Sequence, residues 1–463
     1  MAARSRVRWR QTNDYVISSR PSGSPWDDVV TGQRRDFVEA ETGLERAFRL
    51  FGKPWVPDAA SAEDEALQLL AVAAEIEQSL MVQYLYAALS VDDAEDTGAD
   101  VRLMLTTIAV EEMGHLWAVQ NLRIALGATA WLGRQDQQPD DDADPYPFRL
   151  QPLSRACLAR FVAAEAPDRA TLASEAEKLE LCEIGEEAGA AGVPVHRVGL
   201  IYMRLFYLFQ DDDSPTETWP AASAAKDWSP RQRHHIDKKK FAADPHASMQ
   251  GPAGEWQLRA TQADMKYGVV TDTEMARKLL FHVSAQGEGP KAADNSHFKR
   301  FRDLYRQAKT SAVLPFKVFS LPDSKTDVVD AEPAASLSRL IDFRYELLLL
   351  TLQQATTLPG QSAARSQRLD WAFREMRDGI GGLSRILMSL PRNPGGSPAT
   401  EPAGPLYSMP SYALPTDGAA LSRRMQIVMQ LSKCLSGALP VIPGAKYLLE
   451  EIAKLDKERS SAG

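Results

Sequence analysis

The amino-acid sequence predicts an all-α protein built on a four-helix bundle, with additional C-terminal helices and long loops. Apolar residues recur at steps of three and four along most of the chain, the period of helices with one buried face. No series of alternating apolar and polar residues marks a set of strands. Acidic and imidazole side chains also interrupt the apolar stripes of two consecutive helices near their middles, which points to chemistry inside the bundle.

Residues 1–60 are rich in Arg, Gly, Pro and Ser and read as an irregular N-terminal arm with one short helix near Arg35–Phe51. The bundle is expected within 61–212, from helices at 63–90, 100–127, 153–166 and 194–210. An acidic, proline-containing loop (135–147) precedes the third, and a further helix fits Leu172–Ala188. Pro194 suits a first helical turn, where its missing N–H costs nothing. Residues 213–390 read as a loop-rich segment and then helices at 273–286, 297–309, 336–356 and 366–388, packed on the bundle. Residues 391–463 comprise a Pro/Gly-rich loop to 416 and helices from Ala419 to Lys457, interrupted by Pro440 and Pro443.

With 463 residues the chain can bury a large core. Its net charge of −9 disfavours nucleic acid, whose phosphates select a basic face. The basic run 231–240 (RQRHHIDKKK) is short and reads as a solvated loop. Cys157, Cys182 and Cys434 show no CxxC spacing, which argues against a disulfide framework or a zinc–thiolate site and for a reducing cytoplasm. No apolar segment resembles a signal peptide or reaches the length of a membrane span.

On the first helix, Leu70, Ala74, Glu77, Met81, Tyr84 and Ala88 share a face that is apolar except near Glu77. On the second, Val101, Leu105, Ile108, Glu112, His115, Val119, Leu122 and Leu126 form a stripe that is aliphatic except at Glu112 and His115. A buried, unpaired carboxylate is costly. Two helices that place such groups in one core need a compensating partner, and a divalent cation serves. Glu-x-x-His aims both side chains one way, and a Glu on the preceding helix completes half of the di-metal carboxylate pattern of helical bundles. Glu75 and Glu111 fall off the stripes and are expected at the surface or behind the ligands.

The other half of the site is less sharply marked. Glu165 follows Leu158 and Val162 on the third helix, either as a ligand or as an exposed carboxylate at a helix end. His196 shares a face with Met203 and Tyr207, as a ligand or as a polar residue of a first turn. Glu288 and His297 line the mouth of the site or serve only as a turn and a helix cap. His282 reads as a core histidine. Tyr84, Trp117 and Met203 line the cavity or are plain core.

The segments EIEQSLMVQYLYAALSV (75–91), IAVEEMGHLWAVQNLRIALGA (108–128), FVAAEAPDR (161–169) and VHRVGLIYMRL (195–205) resemble blocks of a known family, as do QGEG (286–289), SHFKRF (296–301) and, more weakly, 381–407. That family is the ferritin-like proteins related to iminophenyl-pyruvate dimer synthase, which includes the chromopyrrolate-forming enzymes of violacein and rebeccamycin-type pathways. The resemblance implies a ferritin-like bundle with metal ligands at Glu77, Glu112, His115 and Glu165. Gln78 stands where a His is frequent, and Leu200 where the fourth helix usually has Glu. One carboxylate is then absent, leaving one metal or two, with His196 or an acid from Glu183–Glu187 recruited. The activity implied is a non-haem iron oxidase or oxygenase using O2, with manganese as the alternative metal. It would act on a small amino-acid-derived or aromatic metabolite in specialised metabolism, in the family's case by oxidative coupling of imines. Glu77, Glu112 and His115 would carry the catalysis. The alternative is a metal-binding protein for iron handling without organic turnover. Self-association into a homo-oligomer stays open.

Overall fold

The structure is a computed structural model that describes residues 8–10, 53–56, 59–134, 148–167, 172, 174–189, 198–210, 235–238, 247–256, 260, 263–287, 295–311 and 314–462. The expected helix near Arg35–Phe51, the acidic loop 135–147, Pro194, His196, Glu288 and most of the basic run 231–240 lie outside these residues.

Apart from a short antiparallel pair, β1 (Arg8–Arg10) with β2 (Lys53–Trp55), the described chain is helical. Helix α1 (Ala62–Ser90) opens on Ser61, whose hydroxyl accepts from the Asp64 N–H at 3.1 Å, with Glu63, Asp64 and Glu65 in the positive first turn. Helix α2 (Asp96–Ala125) follows after a short connection and packs along α1 over much of its length. At 1.5 Å per residue each spans roughly 45 Å. The third and fourth expected helices are α3 (Arg155–Ala164), capped by Ser154, and α5 (Gly199–Leu208); α4 (Glu175–Gly189) lies between them.

Two later helices close the bundle. Helix α6 (Thr273–Gly287) packs on α5 and α2, and α7 (His297–Ser311) packs on α3. The rings of Tyr84, Phe161 and Phe301, 4.6–5.2 Å apart, lock α1, α3 and α7 together. The chain around Gly251 and Gly268 seals one flank through Asn121, whose amide donates to the carbonyls of both glycines and accepts from the Gly251 N–H, all within 2.9 Å. Gly114 permits this approach, since a Cβ there would stand 3.0 Å from the Met265 backbone. Trp117 joins the same seal rather than a cavity: its indole N–H donates to Glu255 and its ring meets Trp256 edge-on.

The C-terminal helices are α8 (Ala334–Thr356), α9 (Ala363–Arg374), α10 (Gly381–Leu387), α11 (Gly418–Ala438) and α12 (Ala445–Ala462). The single helix expected over 366–388 is instead interrupted by a π-turn, Glu375–Ile380. It admits one extra residue per turn, and it aims Glu375, itself fully buried, into an ion network. Arg344 donates to both Glu375 oxygens, at 2.8 and 2.5 Å, and Arg459 reaches the same carboxylate at 2.6 Å. Asp456 of α12 holds Arg344 from the other side at 2.7 Å. No helix among the described residues is long and apolar enough to cross a membrane.

Removing Glu375 would leave two buried guanidinium groups to share the single carboxylate of Asp456. Glu375→Ala should lower unfolding free energy by about 3–5 kcal/mol in urea titrations. Arg374→Ala, which breaks only the exposed pair with Glu458, should cost under about 1 kcal/mol.

Candidate metal centre

Glu77 sits near the middle of α1 and Glu112 and His115 near the middle of α2, so the packing of these two helices brings them together. Glu165 caps the C-terminus of α3 and His297 is the first residue of α7. All five side chains are in the interior, at most 4 % exposed. His115 Nδ1 lies 2.7 Å from Glu112 and 3.5 Å from Glu77. His297 Nδ1 lies 2.6 Å from Glu112 and 3.7 Å from Glu165. The two imidazoles stack at 5.5 Å between ring centres. Glu112, at the centre, therefore touches both.

The surrounding groups fix how each ligand atom points. Glu111 accepts from His297 Nε2–H at 3.1 Å and from Arg300. The Gln286 amide N–H donates to the Asp264 carbonyl at 2.8 Å, which turns Gln286 Oε1 toward His115 Nε2, 3.0 Å away. Both histidines thus use Nε2 as the donor outward and present Nδ1 to the carboxylates, the arrangement in which an outer acceptor sets the tautomer of a metal ligand. The Tyr202 hydroxyl donates to Glu77 Oε1, and that of Tyr84 to Glu165 Oε1 at 2.6 Å. Gly287 leaves room for the last of these groups: a Cβ there would stand 2.7 Å from Glu165 Oε2.

Three buried atoms in this cluster make no well-aligned hydrogen bond among the described residues: Glu77 Oε2, Glu112 Oε1 and His297 Nδ1, the last two facing each other at 2.6 Å. Electrostatics show the same deficit. Burial, with Glu112 beside it, pushes Glu77 up to about 8. Burial and Glu112 raise Glu165 as well. Burial alone would strip His115 of its proton, but the carboxylates of Glu112 and Glu77 outweigh it and raise the imidazole to about 10. His297 is likewise held well above its ordinary value, against burial, by Glu112, Glu111 and Glu165. Glu112, resisted by burial but flanked by two imidazolium groups, is held well below the usual carboxylate range. Glu112, His115 and His297 each offer a donor atom within 4.8 Å of the others. Three carboxylates and two imidazoles form a donor set that suits iron or manganese, so the residues present fit such an ion.

Of the residues singled out from sequence, Glu77, Glu112, His115 and Glu165 are brought into one cluster, while His196 and Glu288 lie outside the described residues. His297 is neither at a mouth nor merely a cap, because the start of α7 points into the core. Glu111 is not at the surface but buried behind His297. Glu75 is half-buried and accepts from the Trp131 indole N–H at 2.9 Å. Leu200 is buried, and the α4 acids expected in its stead face elsewhere: Glu183 pairs with Lys309 and Glu187 with Arg155 and Tyr305. The group that α5 does send to the centre is Tyr202, whose signal was a hydroxyl within an apolar helix. His282 is exposed, not core, since α6 buries Ala276, Leu280 and Val283 on another face.

Without a metal, the folded protein holds protons that the unfolded chain releases, on Glu77 between pH 4.5 and about 8 and on His115 between pH 6.5 and about 10. Both stabilise the fold at the low end of their windows and cease to do so as pH rises. The unfolding temperature of chelator-treated protein should therefore fall from pH 6.5 upward. Glu77→Gln should make that fall shallower, and equal slopes for the two proteins would contradict the assignment.

A ferritin-like family profile matches residues 70–306, which include all five side chains. Over 93 % of its length the chain is 26 % identical to the 2-imino-3-(indol-3-yl)propanoate dimerase of Chromobacterium violaceum, covering 42 % of that protein. Over 85 % of its length it is 24 % identical to the dichlorochromopyrrolate synthase of Lentzea aerocolonigenes, covering 41 % of it. The chain thus spans about two fifths of the length of these relatives. No solved structure matches. The family match covers just over half of the chain, and with it the helices that carry the cluster: the protein belongs to the ferritin-like family.

Proposed function

We propose that the chain is a metal-dependent oxidoreductase of specialised metabolism that uses O2 and oxidatively couples imines derived from an aromatic amino acid. The observation that carries this reading is the burial of three carboxylates and two imidazoles in one cluster, in which Glu77 Oε2, Glu112 Oε1 and His297 Nδ1 make no well-aligned hydrogen bond. A buried set of that kind is compensated by a cation. Glu77, Glu112, His115, Glu165 and His297 would hold it, iron being favoured over manganese. Iron so held would supply one-electron chemistry with O2. Support for the substrate class comes from the two relatives, whose names describe an imine dimerase and a chromopyrrolate synthase. Joining two imine molecules by a carbon–carbon bond releases two electrons and two protons, for which O2 is the acceptor in this reading.

The chain's own residues have definite tasks. Glu111 and Gln286 take the outward N–H of His297 and His115, leaving each Nδ1 lone pair for the metal. Tyr202 and Tyr84 orient Glu77 and Glu165. Glu77 holds a proton near neutral pH that metal binding displaces. A cytoplasmic setting agrees with three cysteines, none in a disulfide.

Glu112→Ala, His115→Ala and His297→Ala should each abolish stoichiometric iron, measured by elemental analysis, with helical circular dichroism retained. Glu111→Gln should weaken metal affinity roughly 10–100-fold. Iron-dependent O2 consumption should rise only when an aromatic imino acid is generated in the assay. Full iron occupancy in Glu112→Ala and His115→Ala would sink the site. Uptake of O2 indifferent to organic substrate would favour iron handling over turnover.

A further inference from the structure

A second feature lies on another face of α1. The helix sends Glu77 to the candidate metal centre, but Met81, Leu85 and Ala88 wall a half-open cavity of about 170 Å³ lined also by α2, α8, the π-turn and α10. For comparison, an engineered apolar cavity of about 150 Å³ binds benzene. Two aromatic rings, Tyr345 and Tyr407, stand 5.8 Å apart at 58° on its wall, and the thioethers of Met81 and Met376 add polarizable surface suited to an aromatic ring. Two local departures from regular backbone meet there. The π-turn contributes Met376 and Ile380. Tyr407 has φ of 49°, a conformation uncommon for a bulky residue, and its carbonyl accepts from the buried Arg134 at 2.5 Å. Such strain is kept where the surroundings impose it, often at ligand sites. The lining also carries charge at its outer edge. Arg385 is exposed and makes no ion pair among the described residues, and Arg102 is paired only with the exposed Asp93.

We propose that this cavity binds a small single-ring aromatic carboxylate, its ring between Tyr345, Tyr407 and the two methionines and its carboxylate at Arg385 and Arg102. The site is separate from the metal centre and does not depend on the redox reading.

Calorimetry on the full chain would use 3-phenylpropionate and the neutral 3-phenylpropan-1-ol as probes. Both should bind saturably, with or without chelator. Arg385→Ala should weaken the carboxylate about tenfold, the value of a charge-assisted hydrogen bond, and leave the alcohol unchanged. Leu85→Trp, which fills the cavity from its half-exposed side, should abolish both while circular dichroism and unfolding temperature confirm folding. No saturable binding of either probe by folded wild-type protein would overturn the proposal. So would equal weakening of both probes by Arg385→Ala, unaltered binding in Leu85→Trp, or binding lost on chelation.

Discussion

The structure depends on negative charge buried where α1 meets α2. Glu77 and Glu112 come from helices whose remaining contacts are apolar, and Glu165 closes on them from α3. In an interior of low polarity such groups cost several kcal/mol each unless paired. The chain answers with the two imidazoles, and protonation restores part of the balance: Glu77 and Glu165 are pushed toward neutrality while His115 and His297 are pulled toward charge. The arrangement is one that a cation satisfies better than protons can, because a single ion can meet several carboxylate and imidazole atoms at once.

That constraint propagates outward. To keep the cluster dry, segments must press closely onto it, and glycines mark where they do. Gly114 lets the chain around Met265 lie against α2 beside the motif, and Gly287 lets the end of α6 meet Glu165. Asn121, two turns beyond Glu112, ties the covering segment down with its whole amide. Gln286 then links cover to centre, bonded on one side to Asp264 and on the other to His115. A short stretch of α2 therefore encodes the candidate ligands Glu112 and His115, a close approach at Gly114 between them and an anchor at Asn121 further along.

Much of this is legible in sequence because it is periodic. The helices of 62–125 follow from steps of three and four, and the same pattern exposes Glu77, Glu112 and His115 as the residues that break it. What periodicity does not contain is where a helix enters the fold. His297 opens α7, and a first-turn position carries no stripe, so its burial against Glu112 follows only from α7 packing on α3. The π-turn at Glu375 is illegible for a related reason: one inserted residue shifts the phase without ending the helix. His282 shows the opposite error. It lies in an apolar-looking segment, but two residues from Leu280 it is turned by about 200° from the buried face.

Helix α1 shows why the departures at positions 78 and 200 differ in consequence. It is buried on nearly every side, so several of its polar residues have particular partners. Glu65 pairs with Arg204, Gln83 accepts from the Arg149 N–H, and Glu77 meets the carboxylate–imidazole cluster. Gln78 points elsewhere, its amide 2.9 Å from the Tyr345 hydroxyl. Glutamine there changes a contact with α8 and leaves the donor set intact. Position 200 lies closer to the centre, yet α5 sends the Tyr202 hydroxyl to Glu77, and His297 brings a second imidazole from α7. The negative charge of the cluster therefore rests on Glu77, Glu112 and Glu165, with an imidazole on either side of Glu112.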